Sequence, residues 1–465
     1  MAYSQKQKGK IDMTCGHIMR NIILFAIPII IGNVLQQLYT TVDALVIGKY
    51  CGDTSLAAVG TSSQPVEVLL CVFLGIGTGV SILISQYAGA KESDKVVSIC
   101  GTSITFIYII GIPVGILGWF AAPYILEFMK VPQDVWDAAL IYTRLVFLGT
   151  LGNLGYNMNA GILRGLGDSK ASLWFLVVSC ISNIVFDLVF VAGFGMDVAG
   201  AALATSIAMF ISWLVSIAYI RKMFPEIQFT FLPRRFSGKM MKDILAIGLP
   251  VGLNNSLYSL GHVALQTFNN SQGAVFMAGG AVAGRITGCA NIAITGLSSA
   301  ATTFSGQNYG AKKYDRIKEG HWKIPICSGL ITLGCGLFFI MIHKPLIRFF
   351  SSDEMVLMYA SRHVVVMLLS QWFYAIFNCI ISIVNGTGRV RYTTIVNILM
   401  LWAVRIPSAY IINRYFDGTW VMLCFPISFS FGMFAMIGYY LFSPAWKEVM
   451  RLAENKPQEG PIKEN

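Results

Sequence analysis

Charge is scarce in this chain. Of 465 residues only 12% are Asp, Glu, Lys or Arg, where soluble domains carry about a quarter. That excludes a soluble enzyme and a disordered chain. No GxxxxGK[ST] occurs, so ATP hydrolysis by a P-loop is excluded. No HExxH or GxSxG occurs, and no polar stretch is long enough for a soluble catalytic domain, so the chain does not read as an enzyme. None of the ten cysteines forms CxxC or a Cys/His cluster, and most lie in apolar runs. A disulfide scaffold, a zinc site and a redox site are excluded with them. A cleavable signal pattern is also missing. The polar, basic N-terminus leads into an apolar run that reads as a retained span.

What is present is apolar. Hydrophobic residues make up 55% and mean hydropathy is +0.65. Spanning-length runs fall near 18–48, 54–88, 96–122, 135–161, 171–194, 197–220, 243–270, 274–308, 322–342, 354–384, 391–412 and 418–443. They predict an all-α polytopic membrane protein with twelve transmembrane helices. The net charge of +11 has its explanation here and not in nucleic acid. Twenty-five Lys and Arg fall on the N-terminus, the even-numbered loops and the tail, and five on the odd loops. The positive-inside rule then places both termini in the cytoplasm. The expected division is an N-terminal segment 1–17, a first lobe 18–220, a loop 221–242, a second lobe 243–444 and a frayed tail 445–465.

The halves repeat. Ser85-Gln-Tyr-Ala-Gly-Ala-Lys91 returns as Gly306-Gln-Asn-Tyr-Gly-Ala-Lys312, and Leu163-Arg-Gly-Leu-Gly167 as Val384-Asn-Gly-Thr-Gly388, each 221 positions on. Pro28 returns as Pro250 at 222. Six helices per half make this a parallel repeat, an architecture that favours a site at the shared interface and alternating access.

Ionisable residues inside spans are costly and mark function. The acids are Asp43, Glu67 and Asp187, all in the first half. The second half offers Arg285 and Arg405 instead. At 100° per residue, Asn33, Gln36, Tyr39, Thr40 and Asp43 share an arc of about 120°. Asn183 and Asp187 are four apart, and Thr205 begins a face that includes Met209. Two carboxylates, a carboxamide and a hydroxyl offer a cation only oxygen ligands. That suits Na⁺, and equally a carboxylate pair that shares a proton and titrates as a unit. On span two, Gly60, Gln64, Glu67 and Cys71 share a face that reads either as a cavity wall or as a helix contact. Gln36, Tyr39, Gln64, Glu67, Asn157 and Met209 are the candidate substrate contacts. Met and aromatic side chains suit broad recognition of flat organic cations.

On Pro28, Val42-Asp-Ala-Leu-Val-Ile-Gly48, the two repeated motifs, Arg164-Gly-Leu-Gly-Asp168, Asn183, Asp187 and Thr205, the chain resembles the multidrug and toxic compound extrusion (MATE) family over roughly 15–445. Its pattern is similar to the branch of DinF- and MepA-like bacterial exporters. The resemblance implies two pseudo-symmetric six-helix bundles around a V-shaped cavity. It implies a monomer in lipid, without a cofactor, that exchanges cationic compounds for Na⁺ or H⁺. It assigns the coupling site, a metal site if the ion is Na⁺, to Asp43, Asn183, Asp187 and Thr205, and a hinge to Pro28. Another branch carries acids on spans seven and ten, which both lack one here. A flippase for lipid-linked saccharides, from the same superfamily, is the alternative. An anionic cargo would need a cationic cavity, against which the acidic first half argues.

Overall fold

A computed structural model describes residues 10–233 and 235–454, apart from the side chains of 53, 56, 57, 63–65 and 69. The helices are α1 Ile18–Tyr50, α2 Gly52–Gly89, α3 Ser93–Phe128, α4 Trp136–Leu148, α5 Thr150–Gly165, α6 Ser169–Asp187 and α7 Asp197–Met223. The second half holds α8 Gly238–Asn270, α9 Ala274–Gly310, α10 Tyr314–Phe350, α11 Glu354–Gly386, α12 Val390–Ile398, α13 Ile406–Tyr415, α14 Cys424–Phe442 and α15 Pro444–Glu454. Among the described residues nine helices or continuous helical segments are long and apolar enough to cross a membrane, and a tenth span is α4 with α5, bent by 47° at their junction. Helices α8 and α9, of 33 and 37 residues, complete the twelve. They are long enough to cross, and both lie at the seam between the halves.

Helix starts are set by side chains that take up free backbone N–H groups. Asp168 accepts from Ala171 N at 3.0 Å, and its other oxygen accepts from the Tyr219 hydroxyl at 2.8 Å, which ties α6 to α7. Asp353 accepts from the N–H groups of Met355 and Val356 at 2.7 and 3.2 Å.

The sequence repeat reappears in the backbone. Positive φ falls at Gly52 and Gly273, at Lys91 and Lys312, and at Gly167 and Gly388, each pair 221 apart. Each half therefore turns its corners at equivalent places. One half packs around Trp213, Phe175 and Ile82, the other around Phe304, Phe377 and Trp446. Large apolar side chains such as Ile116, Leu117, Phe120 and Tyr124 stand exposed along α3, as a lipid-facing helix requires. The loop between the halves is not free. Tyr108 donates to Phe231 O at 3.1 Å and Ser237 N to Thr102 Oγ1 at 3.2 Å, so the loop straps along α3. The tail, expected to fray, begins as α15, with Trp446 buried against Tyr440 at 4.7 Å between ring centroids.

The halves meet along two crossings. At α2–α8 a Cβ on Gly75 would lie 2.1 Å from the backbone of Gly252, so only glycine permits this approach. At the equivalent α9–α1 crossing Gly296 takes the side chain of Ile30. Towards the chain ends the repeated motifs lock together. Gln86 Nε2 donates to Gly386 O at 2.7 Å, and its repeat partner Gln307 donates to Gly165 O at 3.1 Å. Residues 11–15 lie across the same end. Ile11 N donates to Gly167 O at 3.0 Å, Met13 N to Gln307 Oε1 at 3.0 Å, and Lys313 Nζ to Thr14 O at 2.8 Å. The other end diverges: Cβ atoms on Gly60, Gly280, Gly284 and Gly288 would meet nothing within 4 Å. Two pseudo-symmetric bundles thus enclose a V-shaped cavity, closed where both described chain ends lie.

Candidate functional site

Three helices of the first bundle bring the predicted acids together. Asp43 comes from α1, Asn183 and Asp187 from α6, and Thr205 from α7. Asp187 closes its helix, and the chain continues as a π-helical turn over Leu188–Gly193, a distortion frequent at functional sites. Its carboxyl is fully buried, and neither oxygen has a hydrogen-bond donor. Asn183 Nδ2 donates to Thr205 Oγ1 at 3.2 Å, which leaves Asn183 Oδ1 buried and without a donor. Asp43 Oδ1 is in the same condition. The Asp43 and Asp187 carboxyls are near enough to interact with each other electrostatically.

Four buried acceptor oxygens on three side chains therefore lack a donor. Burying such groups unsatisfied costs free energy, and burying a bare carboxylate costs far more. A proton between the carboxyls, or a small hard cation in contact with the oxygens, would satisfy such a set. Among the described residues no three His, Cys, Asp or Glu side chains gather as a metal cluster. Tyr39 and Tyr142 stand within electrostatic range of both carboxyls. Tyr142, on α4, has no sequence signal of this placement: Ala138, Ala139, Leu145 and Val146 are its neighbours three and four positions away.

The other predicted residues are dispersed. Gln36 lines an open recess of about 350 Å³ between α1 and α9, with Asn33, Thr40, Asn291 and Thr295. Tyr39 is half-buried, one helical turn on from Gln36 along α1. Glu67 is exposed on α2, and the side chain of Gln64 lies outside the described residues. Asn157 Nδ2 donates to Asn153 Oδ1 at 2.8 Å, and its backbone packs on Gly77. Met209 is buried between α6 and α7, where its sulfur accepts from Ser179. Pro28 is buried within α1, which runs through it as one helix.

The cationic side chains of the second bundle are separated. Arg285 is exposed over the Phe350 ring at 5.6 Å. Arg405 is fully buried, donates to Ser428 Oγ at 2.9 Å and Tyr258 Oη at 3.3 Å, and lies 4.9 Å from the ring centroids of Phe425 and Phe429. His262 packs edge-on to Tyr258. These are structural partnerships of the second bundle.

The sequence reading also missed a second space, a chamber of about 320 Å³ between the bundles. Its sequence signal was available. Thr295, Ser298, Ser299 and Thr302 recur at helical spacing on α9, and Asn378, Ser382 and Asn385 on α11.

The MatE family model matches residues 28–189 and again 250–411, two copies at the spacing of the repeat. The probable multidrug resistance protein YoeA of Bacillus subtilis is 29% identical over 456 residues, which is 94% of this chain and 96% of that protein. The multidrug export protein MepA of Staphylococcus haemolyticus is 22% identical over 405 residues, 87% of this chain and 89% of that one. Among solved structures, the outward-facing conformation of a multidrug resistance MATE family transporter superposes with a TM-score of 0.85 at 24% identity, over 97% of this chain and all of the other. The family match covers more than half the sequence, and the fold agrees along nearly its whole length: the chain belongs to the MatE family.

Proposed function

We propose that this protein is a secondary active multidrug exporter that exchanges small organic cations for Na⁺ or H⁺ by alternating access. The observation that carries the reading is the set of donor-less buried oxygens on Asp43, Asn183 and Asp187. The relatives named as multidrug resistance and export proteins support it. The lobes are residues 18–220 and 243–444, joined by 221–242. By the distribution of Lys and Arg the closed end faces the cytoplasm of a bacterial membrane, and the open cleft faces outward.

With the cleft open outward, a Na⁺ or a proton reaches Asp43 and Asp187, with Asn183 and Thr205 completing an oxygen shell for Na⁺. Its charge cancels the negative potential that attracts an organic cation to the cleft, past Gln36, Tyr39 and Glu67, so the cation leaves. With the cleft open inward the ion departs and the carboxylates draw in a new cation. A ligand shifts the conformational equilibrium only by its difference in affinity for the two states. One charge moving down 100 mV supplies about 2.3 kcal/mol, enough for modest uphill export. Pro28 on α1 is the hinge in this reading.

The test is ethidium export in proteoliposomes with a sodium gradient and a pH gradient imposed separately. One of the gradients drives export by the wild type. Asp187→Asn, inserted at equal level, loses gradient-driven export. Full ethidium export by Asp187→Asn overturns the proposal.

A further inference from the structure

The chamber between the bundles has a composition opposite to that of the acidic site. It lies between the Gly75–Gly252 crossing and the glutamine contacts, on α2, α8, α9, α11 and α12. Of its seventeen lining residues fourteen are Ser, Thr or Asn, and the single charged one is Arg164. No Asp or Glu lines it. Arg164 is the penultimate residue of α5 in the first bundle, yet most of the chamber belongs to the second. Its helix end is docked there: Arg164 O accepts from Thr303 at 3.5 Å, and Gly165 O from Gln307. The Arg164 guanidinium makes no hydrogen bond or ion pair among the described residues.

Hydrogen-bond polarity points the same way as charge. Several hydroxyl donors are already committed to backbone carbonyls, as in Thr78 to Leu74 O and Thr302 to Ser298 O. Among the amides, Asn378 Nδ2 donates to Tyr374 O at 3.1 Å, but the others keep their N–H groups free of backbone carbonyls among the described residues. Thr393 donates to Asn385 Oδ1 at 2.6 Å, which fixes that amide with its NH₂ turned away from the bond. The side chains of Asn254, Asn255 and Asn397 have no partner among the described residues. Carboxamide N–H groups and a guanidinium fork with no acid nearby are the donor set for an oxyanion. Polar groups within a membrane protein are retained where they meet water or cargo. The chamber also adjoins the open recess: Thr295 lines both, and accepts from Asn33 at 2.9 Å on their boundary.

We infer that the chamber is an oxyanion subsite, and that the substrates include organic zwitterions whose carboxylate or phosphate is held by Arg164 and the surrounding asparagines. This deepens the export reading and rests on it only for calling the ligand a substrate. Binding itself needs no ion gradient and no coupling site.

Rhodamine 110 and rhodamine 123 test it, because they share one cationic fluorophore and differ in a free carboxylate against its methyl ester. Fluorescence anisotropy on the purified full-length protein in nanodiscs reads both affinities. The acid is expected to bind about tenfold more tightly than the ester, the strength of a charge-assisted contact. Arg164→Gln is expected to bring the ratio near one by weakening the acid alone, and Arg164→Lys to retain a preference for the acid. Asn255→Asp, nearly isosteric and away from the docked end of α5, is expected to exclude the acid and keep the ester, so a folding defect at Arg164 does not decide the matter. Asp187→Asn should leave the ratio unchanged, which separates this proposal from that of ion coupling. Displacement of rhodamine 110 by benzoate or by phenyl phosphate then tells which oxyanion is preferred. Equal wild-type affinities for acid and ester, or a ratio that neither Arg164→Gln nor Asn255→Asp moves, overturns the assignment.

Discussion

The closed end should respond unequally to the loss of its two equivalent glutamines. Gln86 and Gln307 occupy the same place in the repeat, and each donates to a carbonyl at the end of a helix in the opposite bundle, Gly386 O and Gly165 O. Carbonyls at a helix end have no partner within the helix. When the bundles part at this end water reaches them, so deleting the donor penalises only the closed state. The two deletions differ because Gln307 does more. It is buried, and its Oε1 also accepts from Met13 N at 3.0 Å, which pins residues 11–15 across the seam. Gln86 is half-buried and has the single bond to Gly386. At about 1 kcal/mol per net hydrogen bond, Gln86→Ala costs the closed state about 1 kcal/mol and Gln307→Ala about 2. Those are shifts of about fivefold and about thirtyfold in the ratio of closed to open. Hydrogen–deuterium exchange in nanodiscs, read on peptides spanning residues 10–14 and 163–168, measures the opening. Exchange should rise in both segments, and more in Gln307→Ala than in Gln86→Ala. Equal effects, the reverse order or no change would refute the idea that these bonds hold the end shut.

The helix crossing gives a second contrast. Gly252→Ala places a Cβ against the backbone of Val72 and should cost at least the 1–3 kcal/mol typical of overpacking, whereas Gly280→Ala meets open space and should leave thermal stability in detergent unchanged. Asp168→Ala removes a helix cap and the acceptor of Tyr219. It should cost about 2 kcal/mol, more than Tyr219→Phe, and the difference is read in melting temperature. The exposed Lys318–Glu454 pair at 2.8 Å should be nearly neutral, so Glu454→Gln should leave the melting temperature unchanged. A loss would mean that α15 is held by that pair and not by Trp446 packed beneath it.

The repeat separates what sequence patterns disclose from what they conceal. Backbone features copy themselves between the halves: the positive-φ pairs, the glutamine contacts and the helix limits, as in α1 and α8 of 33 residues each. These rest on periodicity and turn chemistry, and the runs near 243–270 and 274–308 correspond to α8 and α9 within a few residues. The bend at Gly149 was not legible, since apolar spacing continues across it while α11, its counterpart, runs straight through. Ionisable residues break the repeat. At an offset of 221 or 222 the second half has Ala264 or Leu265 opposite Asp43, and Ser408 or Ala409 opposite Asp187. The acidic cluster was therefore visible as a departure from symmetry, because an unmatched acid in a span stands out. Arg164 is the same kind of departure, for its counterpart is Asn385 and both line the chamber. It was hidden because a basic residue near a predicted helix end counts as a loop charge until the fold turns that end inward. Shared residues thus build two similar bundles, and the unmatched charges give the acidic site and the chamber opposite polarity. Under the two proposals above, a small cation at the acidic site and an oxyanion in the chamber would be chemically distinct loads on a single seam, and Thr295 puts the chamber next to the recess that is already open.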